Sequence, residues 1–484
     1  MDCDVIICFE IHAELSTGTK LFCNCSTNSD APPNTHICPV CTGQPGTLPV
    51  LNKKAVEGCI KAGLALDCTV SRQARFARKN YFYPDLPKGY QISQYERPLC
   101  ENGYLAIRGN DSRSHAVGIK RIHLEEDAGK LVHSSSSYGS SDYSLVDYNR
   151  SGVPLLEIVA DHTRNPLGST EEARAYLEKM RQILRYIEVS DCIIEKGQFR
   201  CDVNISLRPK GSQDFGNRVE IKNMTSFKFI MGALEYEIKR QSEMIQSGEK
   251  IFQETRSFDE EKKITITMRM KEDAPDYRYF LDPDLMEIEL DQEFVKKIEN
   301  SIPELPDQKM SRIMKEFGIA KNEAFIITKD KNVADYFGAC APFCQDRKKL
   351  SRWMIKELFR FLSDASLTIE KCPVGPKDFS KLVNLISQGD ITDKIGRTVL
   401  GEMFITGGRP EAIIDKKGLK PIHDTGVLEK TLYEVMSENP EAVTQIKEGM
   451  TKPISFLIGK VMKKTSGKAN PKKVSELIHK KLLA

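Results

Sequence analysis

The stretch Ile7–Leu15, ICFEIHAEL, decides how the N-terminal part of this chain folds. If extended, it throws Glu10, His12 and Glu14 onto one face of a strand and Ile7, Phe9, Ile11 and Ala13 onto the other, because strand side chains alternate between faces. Three side chains able to bind a metal then share a face. Two later segments repeat the device: His123, Glu125 and Asp127 alternate with Ile122 and Leu124 in IHLEED, and a single Glu157 sits inside the apolar VPLLEIV. A buried carboxylate must be paired, protonated or bound to a cation, since leaving it bare costs several kcal/mol. A hard divalent cation meets that need. Spacing alone equally describes a solvated face of Glu10, Glu14, Glu125, Glu126 and Asp127, with His12 an ordinary surface histidine.

Working outward, Phe199–Leu207 puts Arg200, Asp202, Asn204 and Ser206 on its polar face, and Arg218–Lys222 alternates around Val219 and Ile221, so both read as half-buried antiparallel strands. Helices interrupt them. Ser169 with Glu172 predicts a capping box, followed by Ala173, Tyr176, Leu177, Met180, Ile183, Leu184 and Ile187 at helical spacing. A second helix is expected over Ser226–Ser247, stopped by Gly248. Near residue 300 the pattern changes: Pro303 and Pro306 break the chain, and almost everything beyond reads as helix punctuated by Gly and Asn-Pro.

Composition excludes several classes. The chain has 484 residues, 40% hydrophobic and 29% charged, which suits about two to four globular domains rather than a disordered or fibrous protein. No apolar run approaches the roughly 18 residues of a membrane span, and no signal pattern precedes the first strand, so a cytoplasmic location is expected. In that setting the 14 cysteines read as thiols and metal ligands, not disulfides. The net charge of +3 is unevenly spread, with ten Lys against two Glu from Lys447 to Ala484, a basic segment suited to a polyanion. A solvated basic face without a ligand is the alternative.

Cys23, Cys25, Cys38 and Cys41 follow the pattern C-x-C, twelve residues, C-x-x-C. Four soft ligands in two close pairs fit a structural tetrahedral zinc, with His36 as a substitute ligand; four free thiols are the alternative. The chain contains no G-x-x-x-x-G-K-[ST], G-x-G-x-x-G or H-E-x-x-H, so nucleotide chemistry would need a phosphate site outside the common fingerprints. It also has no G-x-S-x-G. TMRMKEDAPDYRYF gathers Arg269, Lys271, Asp276 and Arg278, cations able to clamp phosphates or to pair with nearby acids.

The segments APPNTHICPVCTGQPGTLPVLNKKAVEGCIKAGLAL, RKNYFYPDLPKGYQISQY, RIHLEEDAGKL, GVPLLEIV, RCDVNISLRPKG, VEIKNMTSFKF, DYRYFLDPDL and GKANPKKV occur in this order from the first strand to the last helix. Together they resemble the B-subunit family of the tRNA-dependent amidotransferases (GatB). Cys8 and Phe9 stand where that family usually has Gly and Leu, and some members lack the four cysteines. The resemblance implies an α+β fold: a cradle of antiparallel sheet and helices over residues 1–292, an all-helical domain over 293–405, and a YqeY-like helical tail over 406–484. It implies ATP-dependent amidation of Glu-tRNA(Gln) and/or Asp-tRNA(Asn), in which the side-chain carboxylate is phosphorylated and then attacked by ammonia. It further implies a heterotrimer with a glutaminase A subunit and a small C subunit. On that basis Glu10, His12, Glu125 and Glu157 are the expected catalytic and Mg2+ set, with Mn2+ the alternative because histidine suits Mg2+ poorly. Lys79, Lys88 and Glu125 would line an ammonia route, Arg269, Lys271 and Arg278 would meet phosphate or substrate, and Lys463, Lys464, Lys468, Lys472 and Lys473 would meet tRNA. A non-catalytic tRNA-binding scaffold and a zinc-ribbon nucleic-acid binder are the rival readings.

Overall fold

Residues Cys3–Glu14 form a single strand, β1, through the whole alternating run. The computed structural model describes residues 3–28, 30–108, 114–133, 143–212, 214–270, 277–419, 425–465 and 469–482. Eight further strands join β1 in one sheet: β2 (Thr69–Val70), β3 (Cys100–Arg108), β4 (Ser114–Glu126), β5 (Pro154–Ala160), β6 (Phe199–Pro209), β7 (Val219–Lys222), β8 (Glu254–Asp259) and β9 (Ile264–Met270). Their order is β9-β8-β7-β6-β1-β5-β4-β3-β2. Neighbours are antiparallel except β7 and β8, which run parallel. Alternation predicts antiparallel pairing throughout but looks the same in either direction, and the long helical crossover between these two strands makes the parallel pairing feasible.

The apolar face of β1 lies against helices. Ile7, Phe9, Ile11 and Ala13 are fully buried, and the Phe9 ring stacks on Tyr176 at 5.8 Å between centroids. Tyr176 belongs to α2 (Thr170–Tyr186), which follows α1 (Lys53–Ala65) and precedes the crossover helix α3 (Phe227–Ser247). Ser169 caps α2 by accepting from the Glu172 N–H at 3.2 Å, while the Glu172 carboxylate accepts from the Gly168 N–H at 2.8 Å, one residue before the cap. Ser226 caps α3 in the same way through Phe229, and Gly248 ends it in the left-handed region at φ 74°. With helices covering one face, the polar face of β1 is left for chemistry.

A small sheet of Ala77–Asn80, Tyr90–Ser93 and Phe280–Leu281 lies at one end of that polar face. The Leu124 N–H donates to Gln94 Oε1 at 3.1 Å, and the Ile92 N–H donates to Glu126 Oε1 at 2.8 Å, which ties it to the end of β4. The unit containing both sheets spans Met1–Leu305, and helix Gln292–Glu299 belongs to it through buried Ile298.

The second unit, Pro306–Ala484, has only helices among its described residues. Its interior falls into two apolar clusters, one running from Met310 to Ile414 and the other from Leu428 to Ile478. No described helix is long and apolar enough to cross a membrane.

Candidate active site and thiolate centre

Strand register assembles the carboxylate site. His12 lies opposite Glu157 on β5 and opposite Arg200 on β6, and Glu157 lies opposite His123 on β4. One row therefore crosses four strands as Arg200, His12, Glu157, His123. Glu125, two residues beyond His123 and on the same face of β4, joins it. His12 Nε2 stands 3.6 Å from Glu157 Oε2 and 3.7 Å from Glu125 Oε1; His123 Nε2 stands 3.4 Å and 3.9 Å from the same two carboxyl groups. Glu125 is further held by the Ser93 hydroxyl, which donates to Oε2 at 3.1 Å.

Electrostatics drive these groups apart. Burial alone would lower His12, but Glu157, then Glu125 and Asp202, hold its imidazolium up to about 9. Burial alone would raise Glu157, but His123 and His12 keep it ionised, well below the usual carboxylate range. Glu125 is raised by burial and then by the Glu157 charge. Lys79 is raised despite its burial because Glu125 and Glu157 lie near. Its ammonium also sits 4.8 Å from the Tyr277 ring centroid and 5.8 Å from that of Tyr81, so aromatic faces supplement the carboxylates.

Donor atoms of His12, Glu125 and Glu157 lie within 4.8 Å of one another, close enough to share one ion. Glu10 falls elsewhere. The register puts it opposite Asp202, and with Glu220 they form a second group of three carboxylates meeting the same limit. Asn204 Nδ2 donates to Glu10 Oε1 at 3.1 Å, Thr255 donates to Glu220 at 2.9 Å, and Lys222 pairs with both Asp202 and Glu220. The second set is all oxygen, as Mg2+ prefers, whereas the first mixes imidazole and carboxylate. Asp202, on the polar strand face, and His123 and Glu220 join the sites although the sequence alone assigns them no role. Period-2 alternation marks all three; register decides which strands bring them together.

Glu14, the third polar residue of β1, belongs to a neighbouring network. Arg200 Nη2 lies 2.7 Å and Arg150 Nε 3.5 Å from Asp127 Oδ2, and the two guanidinium groups hold that buried carboxylate down. Glu14 beside it is pushed up to about 8, first by burial and then by the Asp127 charge.

The two lysines expected along one route diverge. Lys79 faces Glu125 and Glu157, whereas Lys88 pairs with Glu126, whose side chain departs from the other face of β4. Arg269 is on the edge strand β9, and Arg278 lies just before the Phe280–Leu281 strand of the small sheet, where its carbonyl accepts from Asn80 Nδ2 at 2.9 Å. Lys271 and Asp276 lie outside the described residues, as does Lys468, and so does the side chain of Lys472. Lys463 and Lys473 are exposed. Lys464 is engaged, 3.1 Å from Glu434 and 2.7 Å from Glu438.

Cys23, Cys25, Cys38 and Cys41 converge with all four Sγ atoms within 4.8 Å; His36 is not of the group. Cys38 Sγ and Cys41 Sγ are 3.9 Å apart, close to the roughly 3.8 Å edge of a tetrahedron with zinc–sulfur bonds of about 2.3 Å. The donors fit zinc. The Cys38 N–H donates to Cys41 Sγ at 3.2 Å, and Cys41 is lowered to about 4, chiefly by its hydrogen bond with Cys23 and with help from Cys38 and Lys20. This knuckle borders the carboxylate strand across a cavity of about 100 Å³ lined by Lys20, Cys23, Cys41, Lys88 and Glu126. Gly43 lets it approach: φ is +70°, and a methyl group there would meet Lys88 Cγ at 2.4 Å.

Residues 5–296 match the family model described as the GatB/GatE catalytic domain, and residues 335–482 match the one described as the GatB domain. The chain belongs to the GatB family. It is 49% identical over 480 residues, 99% of this chain and 98% of the relative, to the B subunit of the aspartyl/glutamyl-tRNA(Asn/Gln) amidotransferase of Carboxydothermus hydrogenoformans. The B subunit of the same amidotransferase from Persephonella marina is 49% identical over 484 residues, covering 100% of both chains. That from Brevibacillus brevis is 47% identical over 480 residues, 99% of this chain and 98% of the relative. Both carboxylate groups and the thiolate centre fall within the family's catalytic domain.

Proposed function

We propose that this chain is the component that amidates glutamate on tRNA(Gln) and/or aspartate on tRNA(Asn), using ATP. Full-length likeness to amidotransferase B subunits supports the reaction class, and the convergence of His12, Glu125 and Glu157 on the catalytic domain's polar sheet face is the observation that carries the site. A carboxylate is a poor electrophile, so its oxygen first attacks the γ-phosphorus of ATP to give an acyl phosphate and ADP. Nitrogen then attacks the acyl carbon, and phosphate leaves. Bringing the two anions together is the electrostatic difficulty of the first step.

The residues address that difficulty. Lys79 as ammonium opposes negative charge at the site, and His12, an imidazolium while the site is metal-free, would give up its proton on ligating a cation. Glu157, kept ionised between two histidines, and Glu125 would hold a divalent cation together with His12, and the second group, Glu10, Asp202 and Glu220, offers an oxygen site beside it. Such a cation, when bound, supplies charge neutralisation to the transferring phosphoryl group. Glu125, anchored by Ser93, is placed to take the proton that the attacking nitrogen sheds. Lys79 with Glu125 lines the approach we assign to ammonia, while Lys88, paired with Glu126 on the other face of the strand, stands off it.

Ammonia then comes from a glutaminase A subunit, with a small C subunit completing a heterotrimer. The four cysteines hold a structural zinc in this reading. The chain divides by role into a catalytic cradle over 1–292, a helical domain over 293–405, and a tail over 406–484 whose Lys463 and Lys473, with Lys464, Lys468 and Lys472 alongside, meet tRNA phosphates. Arg269, Lys271 and Arg278 serve the phosphate or acceptor end. The enzyme works in the cytoplasm, where charged tRNA is used. The test is amidation by the reconstituted complex with Glu-tRNA(Gln) and Asp-tRNA(Asn) in turn. Amide formed on at least one, dependent on ATP, is expected; tRNA binding without ATP turnover would instead make the chain a scaffold.

A further inference from the structure

Lys20 is fully buried, a rare state for a lysine. It lies outside the carboxylate site. Its ammonium donates to Cys41 Sγ at 3.5 Å and to the Tyr148 carbonyl at 3.2 Å. The backbone around it is pinned as well: the Lys20 N–H donates to the Cys25 carbonyl at 3.0 Å, and Asn52 Nδ2 donates to the Lys20 carbonyl at 3.2 Å. The side chain is therefore held in place by the cysteine loop that it serves.

A buried ammonium is strongly unfavourable unless an anion lies beside it, and one carbonyl does not supply that charge. The Cys41 thiolate does. Four thiolates around a divalent ion carry a net charge of −2, a surplus which a neighbouring cation offsets and which N–H···S hydrogen bonds spread. Residues of this kind, behind the ligands, commonly shift metal affinity about 10- to 100-fold.

We propose that Lys20 is a fifth functional residue of the thiolate centre, a charge-balancing N–H···S donor to Cys41 that sets how tightly the four cysteines hold zinc. This rests on the reading of the centre as a zinc site. Lys20 meets the centre only through its N–H···S hydrogen bond to Cys41 and would not bind the ion, so it is a positioning residue. It acts by donating a hydrogen bond to, and placing a positive charge beside, one ligand sulfur.

The experiment uses the full-length chain in its assembled complex. Zinc retention is measured against a graded chelator, and the Co2+-substituted protein is read by its sulfur-to-cobalt charge-transfer band. Lys20→Met keeps the stem and removes the charge and its donors; it should lose zinc at a chelator concentration at least about tenfold lower than the wild type does, within the usual range for such residues, and should shift the charge-transfer band. Lys20→Arg, which keeps charge and donors, should recover part of both effects. If Lys20→Met does not fold, Lys20→Gln, which keeps a neutral N–H donor, carries the comparison. Equal zinc retention and an unmoved band in the neutral variant would overturn the role of Lys20 while leaving the zinc site standing. A wild-type complex that holds no zinc would overturn the zinc site itself, and this inference with it.

Discussion

Replacing Glu157 by Gln tests the carboxylate site most directly, because the change keeps shape and removes one charge from between two histidines. The wild-type carboxylate stands 3.6 Å from His12 Nε2 and 3.4 Å from His123 Nε2. His12 rises from 6.5 to about 9, with Glu157 the leading stabilising partner, which corresponds to about 3 kcal/mol of preference for the imidazolium. Without that partner only Glu125 and Asp202 oppose burial, and the His12 pKa should fall. One of the two carboxylates that would share a cation with His12 also disappears. Losing a preorganised electrostatic group of this type costs about 10²–10³ in rate. The assays are a His12 titration by nuclear magnetic resonance and ADP formation dependent on mischarged tRNA, with tRNA binding measured alongside. A His12 that still titrates near 9, or activation within about threefold of wild type with the fold intact, would refute the reasoning.

Other consequences concern stability, metal and tRNA. Glu14 has a folded pKa raised from 4.5 to about 8, so its contribution to stability is complete below about 4.5 and is lost as pH climbs through 8; Glu14→Gln should flatten the fall in stability of the first unit between about pH 4.5 and 8, and an unchanged pH profile would count against a buried, protonated Glu14. Phe9→Ala removes a fully buried ring stacked on Tyr176 and should cost the first unit about 3–5 kcal/mol in urea unfolding; a loss under about 1 kcal/mol would mean that the helix layer is not packed as described. Cys38→Ser should abolish zinc binding, and metal analysis finding zinc retained at the wild-type level would remove Cys38 from the centre. Substituting Lys463 and Lys473 together should weaken tRNA binding and reduce its salt dependence, leaving ATP binding intact; an equal salt slope would place recognition elsewhere.

Much of this protein is legible in its sequence because local rules act on neighbouring residues. Alternation in Ile7–Leu15 separates Phe9 from Glu10 whatever the strand pairs with. Ser169 and Ser226 announce helix starts, and Gly248 a helix end, through hydrogen bonds and backbone angles settled within a few residues. Cysteine spacing brings Cys38 and Cys41 together within one turn. Long shared motifs carried the family.

Tertiary structure decided what depends on pairing between distant strands. Glu10 and His12 are two residues apart and share a face, yet they serve different groups, because the register sets Glu10 opposite Asp202 and His12 opposite Glu157. His123 and Glu220 enter the site for the same reason. Lys79 and Lys88 reach different carboxylates because Glu125 and Glu126 leave opposite faces of one strand. The parallel pairing of β7 with β8 and the burial of Lys20 against Cys41 likewise follow from how the chain returns on itself. A strand's own residues specify which side chains share its face; which strand lies alongside, and in what register, is set by the free energy of the whole core.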